Sequence, residues 1–264
     1  MQITVSGNQV NYEIAGSGPW LTLSHPLACD LHVWDGQMPA LTAKFRVLRY
    51  DTRGHGGSAA STGPYTLEQL ADDAHDLFKT LGIGRTHWVG LSLGSMIGQT
   101  FALKYPAMLQ SLALAGATSH YPAQASAAFE ERIRSVEANG MEVVIESTLE
   151  RWFTGPYRKT HPQVMDRIAR CIRATPIAGY AGCCHAVQRI DLTERLKEIK
   201  CPTLVMVGAQ DPGTPIAMGR AIYHALPGTE LVIIPAAAHL LNIEQTRAFN
   251  TALSSFLARA GGMF

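Results

Sequence analysis

Residues 2–6 and 9–15 alternate apolar and polar positions, which predicts two short strands joined at Gly7-Asn8. Residues 20–24 (WLTLS) and 46–50 (RVLRY) predict two more, on either side of a helical stretch near 35–44. In LEQLADDAHDLFKT the apolar residues fall at 67, 70, 71, 74, 77 and 78, with Leu81 following, the spacing of one helix face. A strand at 86–91, a helix at 93–104 and a strand at 109–115 come next. Beyond Gly116 the pattern changes, and residues 120–198 read as helical and polar, with scattered aromatics and no clear strand. Strand signals return at 203–208 (TLVMVG) and 231–235 (LVIIP), with helices near 215–226 and 243–260. Strands alternating with helices predict an α/β protein with a mostly parallel central sheet and helices on both faces. The interruption predicts a helical cap, residues 118–199, inserted into a core made of residues 1–117 and 200–264.

Composition narrows the classes. A chain of 264 residues that is 47% hydrophobic can bury one large core. A net charge of +1 gives no footing for nucleic acid or an anionic membrane as partner. No apolar run reaches about 18 residues, so no membrane span is expected. The first residues lack the basic start and apolar centre of a secretion signal. Cys29, Cys171, Cys183, Cys184 and Cys201 are odd in number, two are adjacent, and none has a metal-ligand spacing. They read as free thiols of a reducing cytoplasm, and no metal is expected. No His-Glu-x-x-His, phosphate-binding glycine loop or dinucleotide fingerprint occurs, so no cofactor is expected either.

In sheets of this kind ligands bind outside the carboxyl ends of the strands. Ser92 follows the 86–91 strand, Asp211 the 203–208 strand and His239 the 231–235 strand. A serine hydroxyl needs a base within hydrogen-bond reach, and an imidazole titrating near 6.5 suits that role. Ser92 is therefore the expected nucleophile, His239 the base, and Asp211 the carboxylate that orients the imidazole. Asp191 reads instead as the N-cap of a helix leaving the cap.

The chain order Ser, Asp, His and the Gly90-Leu91-Ser92-Leu93-Gly94 motif resemble the α/β-hydrolase superfamily. The serine of that motif sits in a sharp strand-to-helix turn, and its neighbours two residues away must be small to let the chains pass. Gly98, in mid-helix, points to close packing of helix on sheet. Asp51-Thr-Arg-Gly-His55-Gly-Gly-Ser58 resembles a loop whose role in the family is mostly structural. The resemblance implies an oxyanion hole made by the backbone N–H groups of Leu93 and Leu27. Here the loop reads His25-Pro26-Leu27-Ala28, and Pro26 has no N–H to give.

The stretches Phe45–Gly56, Gly63-Pro-Tyr-Thr-Leu-Glu-Gln-Leu70, Arg151-Trp-Phe-Thr and Ala178-Gly-Tyr-Ala-Gly are similar to 3-oxoadipate enol-lactonases. Those enzymes belong to aromatic-compound catabolism and open an enol-lactone ring by serine-based acyl transfer to water, without a cofactor. The implied partner is a small ester or lactone. A carboxylesterase, an acyl-homoserine lactonase, a C–C bond hydrolase and a cofactor-free perhydrolase share the triad and stay open as alternatives. A binding protein without turnover on the same fold is a further one. Trp34, Trp152 and His185 are candidate pocket residues. Arg132, Arg134, Arg151, Arg173 and Arg189 are candidates to meet the carboxylate that the enol-lactone carries. Oligomeric state leaves no mark in the sequence.

Overall fold

The computed structural model describes residues 1–261, apart from the side chains of residues 123–125. Eight strands form one sheet: β1 (Gln2–Val5), β2 (Asn8–Ala15), β3 (Trp20–Ser24), β4 (Arg46–Tyr50), β5 (Thr86–Leu91), β6 (Leu109–Ala115), β7 (Thr203–Gly208) and β8 (Glu230–Ile234). Their order is β1-β2-β4-β3-β5-β6-β7-β8. The pairs β1–β2 and β2–β4 are antiparallel, and every pair from β4 to β8 is parallel. Every residue of β5 is buried, as expected of a central parallel strand covered on both faces.

The helices are α1 (Met38–Thr42), α2 (Leu67–Thr80), α3 (Leu93–Lys104), α4 (Ala123–Asn139), α5 (Ile145–Trp152), α6 (Gly155–Thr160), α7 (Pro162–Ala174), α8 (Ile177–Gln188), α9 (Ile216–Ala225), α10 (Leu241–Glu244) and α11 (Thr246–Ala260). The apolar stripe of α2 is the one its spacing predicts, and the Thr66 hydroxyl caps its start by accepting from the Gln69 N–H at 3.1 Å. Residues alternate along each strand between two cores. Val89, Leu91, Ala113 and Met206 face one side with Trp34 and Phe249. Trp88, Leu112, Leu114 and Val205 face the other with α2 and α3. Leu93 through Ala102 are all buried, because α3 lies between α2 and the sheet and also touches α8.

Between β6 and β7 run α4 to α8, where α4 packs on α8 and α5 on α7. The segment sits tightly on the core. A Cβ on Gly179 of α8 would strike the backbone of Gly54, in the loop after β4. Among the boundaries that differ from the sequence reading, two change the local structure. The predicted 243–260 helix is two, because Gln245 leaves helical geometry (φ −127°, ψ 52°) between α10 and α11. Asp191 is not an N-cap: the helical turn there begins at Thr193 after Leu192, and Asp191 bridges to His120 instead. No described helix is long and apolar enough to cross a membrane.

Candidate active site

β5 delivers Ser92 into an unusual turn. Its φ is 54° and its ψ −113°, a left-handed conformation that costs a non-glycine residue roughly 1–3 kcal/mol. The turn is over-determined on every side. The Ser92 N–H donates to the Ala115 carbonyl on β6 at 2.9 Å, and the Ser92 carbonyl accepts from the N–H groups of Ser95 and Met96 at 2.9 and 3.0 Å. The flanking glycines are explained by contact. A Cβ on Gly90 would run into the Gly94 carbonyl, and one on Gly94 into the Ser24 carbonyl of β3. Only with both Cβ atoms missing can α3 start this close to the sheet and turn the serine outward.

His239 and Asp211 meet across the ends of β8 and β7. The His239 Nδ1 lies 2.7 Å from Asp211 Oδ2, and both side chains are buried. The turn after β7 supplies the remaining partners of the carboxylate. The N–H groups of Gly213 and Thr214 donate to Oδ1 at 2.8 and 3.0 Å, and the Thr214 hydroxyl donates to Oδ2 at 2.6 Å. Burial pushes the Asp211 carboxyl up, but the His239 charge and the hydrogen bonds from His239 and Thr214 outweigh it and bring it down to about 2. Asp211 is thus an anion over the working pH range. With its Nδ1 side committed to Asp211, His239 has Nε2 left to take a proton from a neighbouring hydroxyl. Gly116 lies beneath the ring, where a Cβ would come 3.3 Å from His239 Cε1.

The two expected oxyanion donors are free to act. Leu93 is the first residue of α3, where an N–H has no intrahelical acceptor. Neither the Leu27 nor the Leu93 N–H has a protein acceptor among the described residues. The unusual His25-Pro26 pair holds the Leu27 loop. His25 Nε2 accepts from the Thr52 N–H at 2.8 Å, which leaves the proton on Nδ1, 2.7 Å from the Pro26 carbonyl. Ala28 then turns the chain at φ 56°.

Leu27, Ser92 and His239 line one cavity of about 190 Å³. That is smaller than the roughly 300–1,000 Å³ of drug-sized sites and suits a small molecule. Met96, Tyr121, Phe129, Trp152, Tyr180 and Val187 wall it, and Arg132 and Arg151 line it as well. Trp152 stacks on the His239 ring, with centroids 6.3 Å apart and planes at 27°. The Arg151 guanidinium donates to the Thr148 hydroxyl at 3.1 Å, and Arg132 lies over the Phe129 ring at 5.2 Å. Neither guanidinium lies within 4.0 Å of a carboxylate among the described residues. Burial, and then the charge of Arg132, lower the Arg151 pKa. A guanidinium is not deprotonated in proteins, so Arg151 remains a cation.

Other candidates lie elsewhere. Trp34 is fully buried in the core against Phe249, 6.2 Å between centroids, because its helical turn faces α11 rather than the cavity. His185 points away: Tyr180 and Val187, seven residues apart, define the cavity face of α8, and His185 faces Gln188 at 3.1 Å and Glu130 at 4.0 Å. His120 is exposed beside Asp191. Arg134 and Arg173 pair on the surface with Glu131 and Glu142, and Arg189 lines a separate hollow beside α2. Asp51 holds its own loop, accepting from the N–H groups of Leu31 and Gly57 at 2.8 Å each. His55 is buried near His25, and burial first and the neighbouring His25 second lower it to about 3, so it stays neutral.

Besides the apolar wall residues other than Trp152, two polar residues escaped the sequence reading. Thr214 stands three positions after Asp211, a spacing at which an aspartate binds the backbone ahead of it, and that signal was present in Asp211-Pro-Gly-Thr. For Glu244 nothing local in the sequence marks it as buried. No cluster of three or more His, Cys, Asp or Glu suited to a metal ion occurs among the described residues.

Comparison with known proteins agrees with this architecture. The α/β-hydrolase fold family model matches residues 19–246. The chain is 30% identical over 259 residues to 3-oxoadipate enol-lactonase 2 of Acinetobacter baylyi, covering 97% of this chain and 96% of that protein. The crystal structure of the enol-lactonase from Burkholderia xenovorans LB400 matches with a TM-score of 0.95 at 35% identity, over 98% of this chain and 100% of that one. A thermophilic esterase from Thermogutta terrifontis, solved with malate bound, matches with a TM-score of 0.93 at 29% identity, over 98% of each chain. By its fold, its strand-end arrangement and the match along most of its length, the chain belongs to the α/β-hydrolase family, with enol-lactonases among its relatives.

Proposed function

We propose that this hydrolase opens a small lactone bearing a free carboxylate, in the manner of a 3-oxoadipate enol-lactonase, through an acyl-enzyme on Ser92. The observation that carries the reading is one small cavity holding Ser92 and His239 on its floor and two arginines without a carboxylate partner on its walls. Two half-buried guanidinium groups repel each other, and an anionic substrate relieves that repulsion with charge-assisted hydrogen bonds. A relative whose structure holds malate, a dicarboxylate, is in keeping with this. Helices α4 to α8 act in this reading as a cap, residues 118–199, that supplies the charge and the apolar walls.

His239 Nε2 takes the Ser92 proton as Oγ attacks the lactone carbonyl. The oxyanion forms against the N–H groups of Leu27 and Leu93, donors worth roughly 10²–10³ in rate each. The ring C–O bond breaks, the enol oxygen leaves with the proton held by His239, and the acyl group stays on Ser92. Water attacks that ester with His239 again as base, and Ser92 is released together with a second carboxylate. The liberated enol becomes a ketone in solution. Asp211, anionic throughout, stabilises the imidazolium in both halves.

The test compares kcat/KM of the wild type on 3-oxoadipate enol-lactone, on the methyl ester of its side-chain carboxyl, and on p-nitrophenyl acetate. The reading expects the free acid to exceed its neutral ester by about 10-fold or more, one charge-assisted bond being worth ~1.5–3 kcal/mol. Equal rates on acid and ester would refute the carboxylate preference. Turnover of p-nitrophenyl acetate alone would leave a carboxylesterase.

A further inference from the structure

Glu244 closes α10, five residues after His239, and is only 7% exposed. A carboxylate buried without a cation is costly unless donors fill its lone pairs. Here the donors come from two separate parts of the molecule. The Ala238 N–H, directly before His239, donates to Oε2 at 2.8 Å. The Thr154 N–H donates to Oε1 at 3.1 Å, and the Thr154 hydroxyl donates to Oε1 as well. Thr154 belongs to the turn between α5 and α6, in the inserted segment. The same two stretches touch twice more. The Leu240 N–H donates to the Trp152 carbonyl at 3.0 Å, and the Trp152 ring stacks on His239.

We infer that Glu244 is a positioning residue that fastens the 152–154 strap to the loop carrying His239, so that the imidazole and the cavity wall take their places together. It touches no substrate. An amide cannot replace it, because one of its two ends would turn an N–H₂ toward a backbone N–H. The inference rests on His239 serving as the base for Ser92.

The experiment measures kcat and KM for p-nitrophenyl acetate, a substrate without a carboxylate, and the rate at which a fluorophosphonate labels Ser92. The variants are Glu244→Gln, Thr154→Val, Thr154→Ser and the double variant Glu244→Gln/Thr154→Val, each checked for a folded circular dichroism spectrum. The expected result for Glu244→Gln is a fall in kcat and in labelling rate of about 10-fold or more, with KM moving less than about twofold, since small misplacement of a base is expensive. Thr154→Val should fall in the same direction, Thr154→Ser should recover, and the double variant should be no worse than the worse single one, because both remove one contact. Should Glu244→Gln fail to fold, the Thr154 pair carries the same test. Unchanged kcat and labelling in variants that merely melt earlier would overturn the inference, as would additive losses. A wild type that labels rapidly beside equally rapid variants refutes the positioning role alone. A wild type that does not label at all removes the base assignment, and the inference with it.

Discussion

The floor of the cavity is made at the ends of β5, β7 and β8, whereas its walls come largely from helices between residues 121 and 187. On the floor the backbone does the placing. Ser92 is forced outward by a turn with φ 54°, and Asp211 is held by two N–H groups and a hydroxyl of its own turn. On the walls the helices give only a face, and the choice of side chain gives the chemistry. Tyr180 and Val187 reach the cavity by helical spacing, and so would any residue at those positions. In the proposed function the floor carries the reaction type, and the walls carry the choice of substrate.

The sharpest way to break that division is to remove the floor. Ser92→Ala should lower kcat by roughly 10⁶-fold and Asp211→Asn by roughly 10⁴-fold, on every substrate alike. Steady-state assays on an anionic lactone and a neutral ester would check this, and a loss confined to one of them would contradict it. The wall variants should behave otherwise. Arg132→Met and Arg151→Met should each raise KM for a carboxylate-bearing lactone by roughly 10–100-fold, one charge-assisted bond apiece, and leave p-nitrophenyl acetate nearly unchanged. Equal losses on both substrates would return the arginines to packing.

The smallest effect separates His239, the proposed base, from histidines that only pack. Burial lowers His87, with a lesser push from the Arg85 charge, to about 4, and His55 stands at about 3. Unfolded, both titrate near about 6.5. Below that pH the unfolded chain binds protons that the native protein refuses, so stability falls from pH about 6.5 toward 4 and 3. A scan of Tm against pH should show this slope, and His87→Gln should flatten its upper part, the amide retaining a partner in the Ser111 hydroxyl 2.8 Å away. Neither residue lines the cavity, so the pH profile of kcat/KM should be the same in His87→Gln as in the wild type.

The sequence was informative in proportion to how local each constraint is. The strands and α2 follow from periodicity, and Gly90, Ser92 and Gly94 from a turn that tolerates little else. Asp211 and His239 could be chosen over Asp51 and His55 because they follow late apolar strands. The walls had no such signal. Trp34 and Trp152 are both large, buried aromatics, and only the packing of α11 and α5 sends one to the core and the other to the cavity. Arg132 and Arg151 were two of five cationic candidates, and surface glutamates claimed Arg134 and Arg173. Glu244 stayed hidden because its partners lie 6 and 90 residues away in the chain.

The most direct test of this account is the ultraviolet loss of 3-oxoadipate enol-lactone, followed with the wild type and with Ser92→Ala. The account predicts turnover with kcat/KM at or above roughly 10⁴ M⁻¹s⁻¹ in the wild type and none in the variant. A Ser92→Ala protein that keeps more than about a few per cent of wild-type activity would contradict it, since no acyl-enzyme could then form at the strained turn after β5.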